Sequence, residues 1–144
     1  MPSAGMLHHV EINVSSLKAS LRFWEPLLLR LGYREHQNWH AGRGFRLNGT
    51  YLLFLQAKNT KDAFNRRGVG LSHVAFLADS REQVDQIAAW VRAQGFRILY
   101  ENVHPFAGDT HHYALYCEDP DMIKVEIIAP ASAAVSPKEP TCKT

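Results

Sequence analysis

The chain has few cysteines, no long apolar run and almost no imbalance of charge, and each shortage removes a class of function. Cys117 and Cys142 are its two cysteines, which do not make a disulfide framework. No apolar stretch approaches the ~20 residues that a membrane span needs. Lys and Arg number 16 against 14 Asp and Glu, a formal net charge of +2, and the basic residues are too scattered to follow a nucleic-acid backbone. Their one local cluster, Arg66-Arg67 after Lys58 and Lys61, reads as a solvated loop. The opening MPSAG has no charged-then-apolar leader pattern. No phosphate-cradling glycine loop, dinucleotide fingerprint or nucleophile–base pair stands out. These shortages favour a cytoplasmic protein with neither a nucleic-acid nor a membrane partner. Its 144 residues, 46% hydrophobic and 21% charged, suffice for a single sizeable core.

What the chain does have is a repeated phrase. LHHVEINV opens it and LSHVAFLA returns about halfway along. With His9 laid over His73, each copy runs from a strand into an amphipathic stretch and then to a glycine before an aromatic. These are Gly32-Tyr33 and Gly95-Phe96, 23 and 22 residues after the histidines. Both glycines suit the left-handed position that ends a helix. The first copy predicts a strand over 7–14, a helix over 16–30 that Pro26 should kink or split, and strands over 33–40, 43–48 and 51–57. The last two should be joined tightly at Asn48-Gly49. The second copy predicts a strand over 71–78, a helix over 80–94 opened by the capping pattern Ser80…Gln83, and strands over 96–101, 111–118 and 123–129. The fold expected is α+β, two tandem βαβββ modules forming one curved, cup-shaped mixed sheet. The modules span residues 1–57 and 71–130, joined by a linker at 58–70. Residues 131–144, small and proline-containing, read as a disordered tail.

Alternation along strands sorts the side chains. Val10, Ile12 and Val14 should face the helix, leaving His9, Glu11 and Asn13 on the opposite face. His73 opposes Val74 and Phe76 in the same way. Lys124, Glu126 and Ile128 oppose Ile123, Val125 and Ile127. His112 shares a register with Tyr116, and Cys117 falls on the apolar one. A lone histidine on a sheet is usually a hydrogen-bonded structural residue. Two at equivalent places of a repeat, with a carboxylate on the same face, form a candidate site.

LHHVEINVSSLKASLRFW, GLSHVAF and EDPDMIKVEII resemble the motifs of the vicinal oxygen chelate superfamily, over residues ~6–130. That superfamily includes glyoxalase I, bleomycin-resistance proteins, fosfomycin-resistance enzymes and extradiol dioxygenases. The resemblance implies the glyoxalase/bleomycin resistance/dioxygenase fold and metal ligands at His9, His73 and Glu126. It places a fourth ligand, in glyoxalase I, where LFLQAK laid over VEIIAP puts Phe54, which cannot ligate. A standard four-ligand glyoxalase I is therefore disfavoured. Two imidazoles and one carboxylate hold a divalent ion (Fe, Mn, Ni, Co or Zn) with positions left open, so that a substrate could chelate it through adjacent oxygens. The function expected is a metal-dependent enzyme, a lyase, isomerase, transferase or dioxygenase. The alternative is a metal-free drug- or metabolite-binding protein of the same fold.

Around the metal, Glu11, Tyr116 and His112 are the candidate catalytic residues. Glu11 is a general base, an imidazole partner or a solvated charge. Tyr116 lies in a Tyr-x-x-Asp-Pro run that resembles part of the dioxygenase signature, although Met122 stands where that signature has glycine. His112, flanking the insertion HPFAGDTHH with His104 and His111, could exchange a proton near neutrality. Arg46 and Gln56 are candidates for binding substrate. By alternation His8 should face away from His9. A homodimer is expected, and whether the modules face each other within a chain or across a dimer stays open.

Overall fold

The computed structural model describes residues 2–131. All but the first residue of the expected tail, with Cys142, lies outside the described residues. The chain runs β1 (His9–Val14), α1 (Leu17–Arg30), β2 (Arg34–Trp39), β3 (Gly42–Leu47), β4 (Thr50–Gln56), β5 (Val74–Leu77), α2 (Arg81–Ala93), β6 (Ala114–Glu118) and β7 (Lys124–Ile128). Local chemistry sets these boundaries. Ser16 caps α1 by accepting from the Ala19 amide, and Ser80 caps α2 by accepting from that of Gln83. Gly32 (φ 93°) and Gly95 (φ 78°) turn the chain out of the two helices. Asn48 adopts φ 53° in the two-residue loop between β3 and β4. Pro26 sits inside a continuous α1 and does not split it. The carbonyl that loses its donor to Pro26 belongs to Arg22, an exposed residue.

Both modules are mixed, but they do not join into one sheet. Hydrogen bonds give a four-stranded sheet, β1-β4-β3-β2, and a three-stranded sheet, β5-β7-β6. β1 runs parallel to β4, and β5 parallel to β7. The strand expected at 96–101 is reduced to one bridge, Ile98 to Cys117. It is flanked by hydrogen bonds from Leu99 N to Tyr116 O and from Glu118 N to Arg97 O. Tyr100, at φ 57°, then turns the chain away. Among the described residues, β1 and β5 are each left at the end of a sheet with one side unpaired.

One core holds the modules together, on the helix side of both sheets. It runs from Ile12, Phe23, Trp24 and Phe54 of the first module to Phe76, Ile87, Cys117 and Val125 of the second. Trp24 is fully buried at the join, packed on Phe54 (4.8 Å between ring centroids) and Phe76 (6.3 Å). Its Nε1 donates to Asp119 Oδ2 at 2.9 Å. Asp119 Oδ1 accepts from the amides of Asp121 and Ile123, which closes the β6–β7 turn. There Met122 adopts φ 62°, a conformation glycine takes without steric cost. Ser15 ties the β1–α1 turn to the same corner, donating from its backbone amide and its hydroxyl to the Asp121 carboxylate.

Asp119 yields a pH prediction. Burial pushes its carboxyl from 3.8 up to about 6, against the opposing pull of three N–H donors. An acid with a raised native pKa contributes stability that is fully present below the unfolded value. That contribution fades as pH rises through the folded one. The parent should therefore gain on an Asp119→Asn variant as pH falls from 7 to 4, by up to about 3 kcal/mol. Urea unfolding of both proteins across that range measures the difference, and a flat difference curve would contradict the assignment.

Candidate functional site

The polar faces point away from the common core. On β1, His9, Glu11 and Asn13 are exposed while Ile12 and Val14 are buried, the alternation the sequence predicts. His9 lies opposite Tyr51 of β4, and Tyr51 opposite Arg46 of β3. These three share a row, because cross-strand partners share a face. The His9 and Tyr51 rings stack with centroids 4.8 Å apart and planes 5° apart. His36 approaches Tyr51 from β2 at 5.2 Å. Glu11 Oε1 is 4.0 Å from His9 Nε2. Arg46 spends its Nε on the Asn48 carbonyl. His8 does not face away as expected. It precedes the first paired residue, so alternation does not bind it, and its Nδ1 lies 2.8 Å from that of His9.

The second cluster is more buried. Glu126 on β7 is 5% exposed, and three side chains converge on its carboxylate. His73, just before β5, puts Nε2 3.0 Å from Oε2. His112 Nε2 and the Tyr116 hydroxyl, the latter at 3.2 Å, both reach Oε1. Burial and the Glu126 charge push the Tyr116 phenol up to about 12, so it stays a hydrogen-bond donor at neutral pH. The loop carrying His112 folds back over the cluster. A side chain at Gly108 would come within 2.8 Å of the His112 ring and 3.1 Å of the Tyr116 hydroxyl. Burial chiefly lowers the pKa of His104 in the same loop. The exposed His111 uses its backbone amide to cap Asp109.

The structure brings His73, Glu126, Tyr116 and His112 together, and sets His9, Glu11 and Arg46 on the other sheet, where the sequence predicts His9, His73 and Glu126 on one face of a single sheet. Among the described residues no three His, Cys, Asp or Glu side chains stand ready to hold one metal ion. Gln56 belongs to neither cluster. It shares the helix side with Val14, its register partner. Its amide bridges the β1–α1 turn, accepting from Leu17 N and donating to Ser15 O. Phe54 needs a correction as well. Val10 pairs with Leu52 where Val74 pairs with Val125, so the place of Glu126 in the first module belongs to Leu53. Phe54 is one residue on, at 0% exposure in the core, and a shift of one reverses the face. Leu53 cannot ligate either, so the missing fourth ligand stands on the corrected residue.

Tyr51, Tyr100 and Lys124 escaped the sequence reading. Lys124 Nζ lies 5.0 Å from the ring centroids of both Tyr100 and Tyr116. The signal for Tyr51 is its place opposite His9, which appears only once the parallel β1–β4 pairing is known.

Comparison with known proteins supports the same fold. The profile of the Glyoxalase/Bleomycin resistance protein/Dioxygenase superfamily matches residues 6–127, and the chain belongs to that superfamily. It is 48% identical over 127 residues to the uncharacterized protein YqjT of Bacillus subtilis (strain 168), covering 87% of this chain and 99% of that one. It is similar to the crystal structure of a glyoxalase-like protein from Bacillus halodurans, with 50% identity and a TM-score of 0.87 over 88% of this chain and 97% of that one. A glyoxalase/dioxygenase from Nostoc punctiforme shares the fold at 19% identity and a TM-score of 0.70, over 92% and 97% of the two chains. No described helix is long and apolar enough to cross a membrane.

Proposed function

We propose that the protein is a divalent-metal-dependent enzyme acting on a small molecule that chelates the metal through adjacent oxygens. Its site is completed between two copies of the chain. His73 and Glu126 come from one copy and His9 from the other. The observation that carries this reading is the asymmetry at Glu126. Oε1 is held by His112 and Tyr116, while Oε2 faces His73 Nε2 at 3.0 Å. Two ligand atoms about 3 Å apart are close enough to be held by one cation with bonds of about 2.0–2.2 Å, so this pair would fit a shared ion. Hydrogen bonds that orient a ligating carboxylate also tune its metal, which gives His112 and Tyr116 a role.

With His112 engaged at Oε1, the third donor in this reading comes from outside this face. His9 is exposed beside the unpaired side of β1, and His73 just precedes β5, whose side is likewise unpaired. A two-fold dimer that sets β1 of one copy beside β5 of its partner covers both vulnerable edges and brings His9 toward Glu126. When bound, the metal supplies Lewis-acid stabilisation to an oxyanion forming on the substrate. Glu11, beside His9, is then the carboxylate placed to take or hold a proton.

Elemental analysis of protein purified without a metal-affinity tag tests this. About one divalent ion per site is expected, with loss of metal and activity together on chelation. A protein that cannot be loaded, and whose ligands bind equally with and without a chelator, would instead be a metal-free binding protein.

A further inference from the structure

Beside the Glu126 cluster lies a second group that the proposed chemistry does not use. Continuing the β5–β7 and β6–β7 registers places His73, Lys124 and Glu118 in one cross-strand row, next to the row that holds Glu126 and Tyr116. Glu118 is the natural partner for Lys124, since opposite charges facing each other across a sheet attract. It does not serve as one. Its carboxylate is taken by Arg66 at 2.5 Å and approached by Arg97 at 3.7 Å. Among the described residues no carboxylate pairs with Lys124. Its ammonium lies instead 5.0 Å from the centroids of the Tyr100 and Tyr116 rings and donates to the Tyr100 hydroxyl at 3.1 Å.

This cage is held at a conformational cost. Tyr100 adopts φ 57°, a left-handed backbone that is an outlier for a bulky residue. Strained positions of this kind persist where the surroundings over-determine them and cluster at binding sites. This backbone sets the Tyr100 ring edge to face with that of Tyr116, 5.5 Å away at 75°, with both rings against the ammonium. An ammonium has three N–H donors. One goes to Tyr100, and two stay available on a half-buried side chain, one tyrosine ring away from the Glu126 carboxylate.

We infer that Lys124, caged by Tyr100 and Tyr116, is an oxyanion-binding subsite beside the candidate metal position. The substrate then carries a phosphate- or carboxylate-like anionic group in addition to its chelating oxygens. The inference rests on this face being the substrate face, but its test does not need a metal. The probe is inorganic phosphate, titrated at constant ionic strength into isotope-labelled protein stripped over a chelating resin and followed by amide NMR shifts. Saturable shifts centred on Lys124, Tyr100 and Tyr116 are expected. Binding should weaken about tenfold in Lys124→Gln, as loss of a charge-assisted hydrogen bond implies, and persist in Lys124→Arg. Absence of saturable shifts, shifts centred on Arg66, Arg67 and Arg97 instead, or equal binding by Lys124→Gln would overturn it. Because the protein is metal-free throughout, failure of metal binding elsewhere leaves this result unchanged.

Discussion

A Glu126→Gln variant is expected to lose divalent-metal affinity by on the order of a hundredfold or more, because even residues that only support a ligand change affinity by about 10–100-fold. The substitution keeps the shape of the side chain and removes the charge. It also turns one of the two oxygens into an N–H donor, which His73 Nε2 can accept in one tautomer, while the oxygen left facing His112 and Tyr116 becomes a weaker, uncharged acceptor. Hydrogen bonds to a charged group contribute about 1.5–3 kcal/mol each, so the melting temperature should fall measurably as well. The fold should survive, since the neighbours Val125 and Ile127 are fully buried in the core on the other face. Metal titration followed by calorimetry reads the affinity, and circular dichroism checks that the sheet is intact. Unchanged metal binding by a folded Glu126→Gln protein would remove Glu126 from the ligand set.

Trp24→Ala should be the most destabilising single change in the core, costing about 3–5 kcal/mol as for other large buried aromatics. Among the described residues no other side chain is at once fully buried, in contact with both modules and hydrogen-bonded to the β6–β7 turn. Truncation opens a cavity between Phe54 and Phe76 and leaves Asp119 short of a donor. Trp24→Phe separates the two effects, because it keeps most of the packing and removes the hydrogen bond. Its cost should be smaller, about 1–3 kcal/mol. Equilibrium urea unfolding measures both. A loss below about 1 kcal/mol for Trp24→Ala would show that the modules do not depend on this contact.

Much of this was legible in the sequence because it is local. The echo of His9 in His73 placed both histidines on polar strand faces. The capping pattern at Ser80 and the glycines at 32 and 95 set helix ends, and Asn48-Gly49 set a hairpin. Tyr116 and Glu126 share a face as the alternation of their strands predicts, whereas His112 reaches Glu126 from the loop before β6, where the expected strand 111–118 has not yet begun. The failures have equally specific causes. In β4, Leu52, Leu53 and Phe54 are all buried, so alternation gives no sign of which faces the helix. The equivalent of Glu126 was therefore placed one residue late. The strand read into 96–101 is apolar enough, but Tyr100 turns left-handed there. The separation of His9 from His73 depends on how two whole modules pack through Trp24, which no short stretch of sequence records.

The shared site is tested most directly by mixing two damaged proteins. His9→Ala and Glu126→Gln homodimers should each bind little metal. In an equimolar mixture taken through dissociation and reassembly, half the dimers are mixed, and each mixed dimer carries one intact site. Metal bound per chain should then recover to roughly a quarter of the parent value. A mixture that binds no more than the average of its two components would show that His9 and Glu126 do not meet across the dimer.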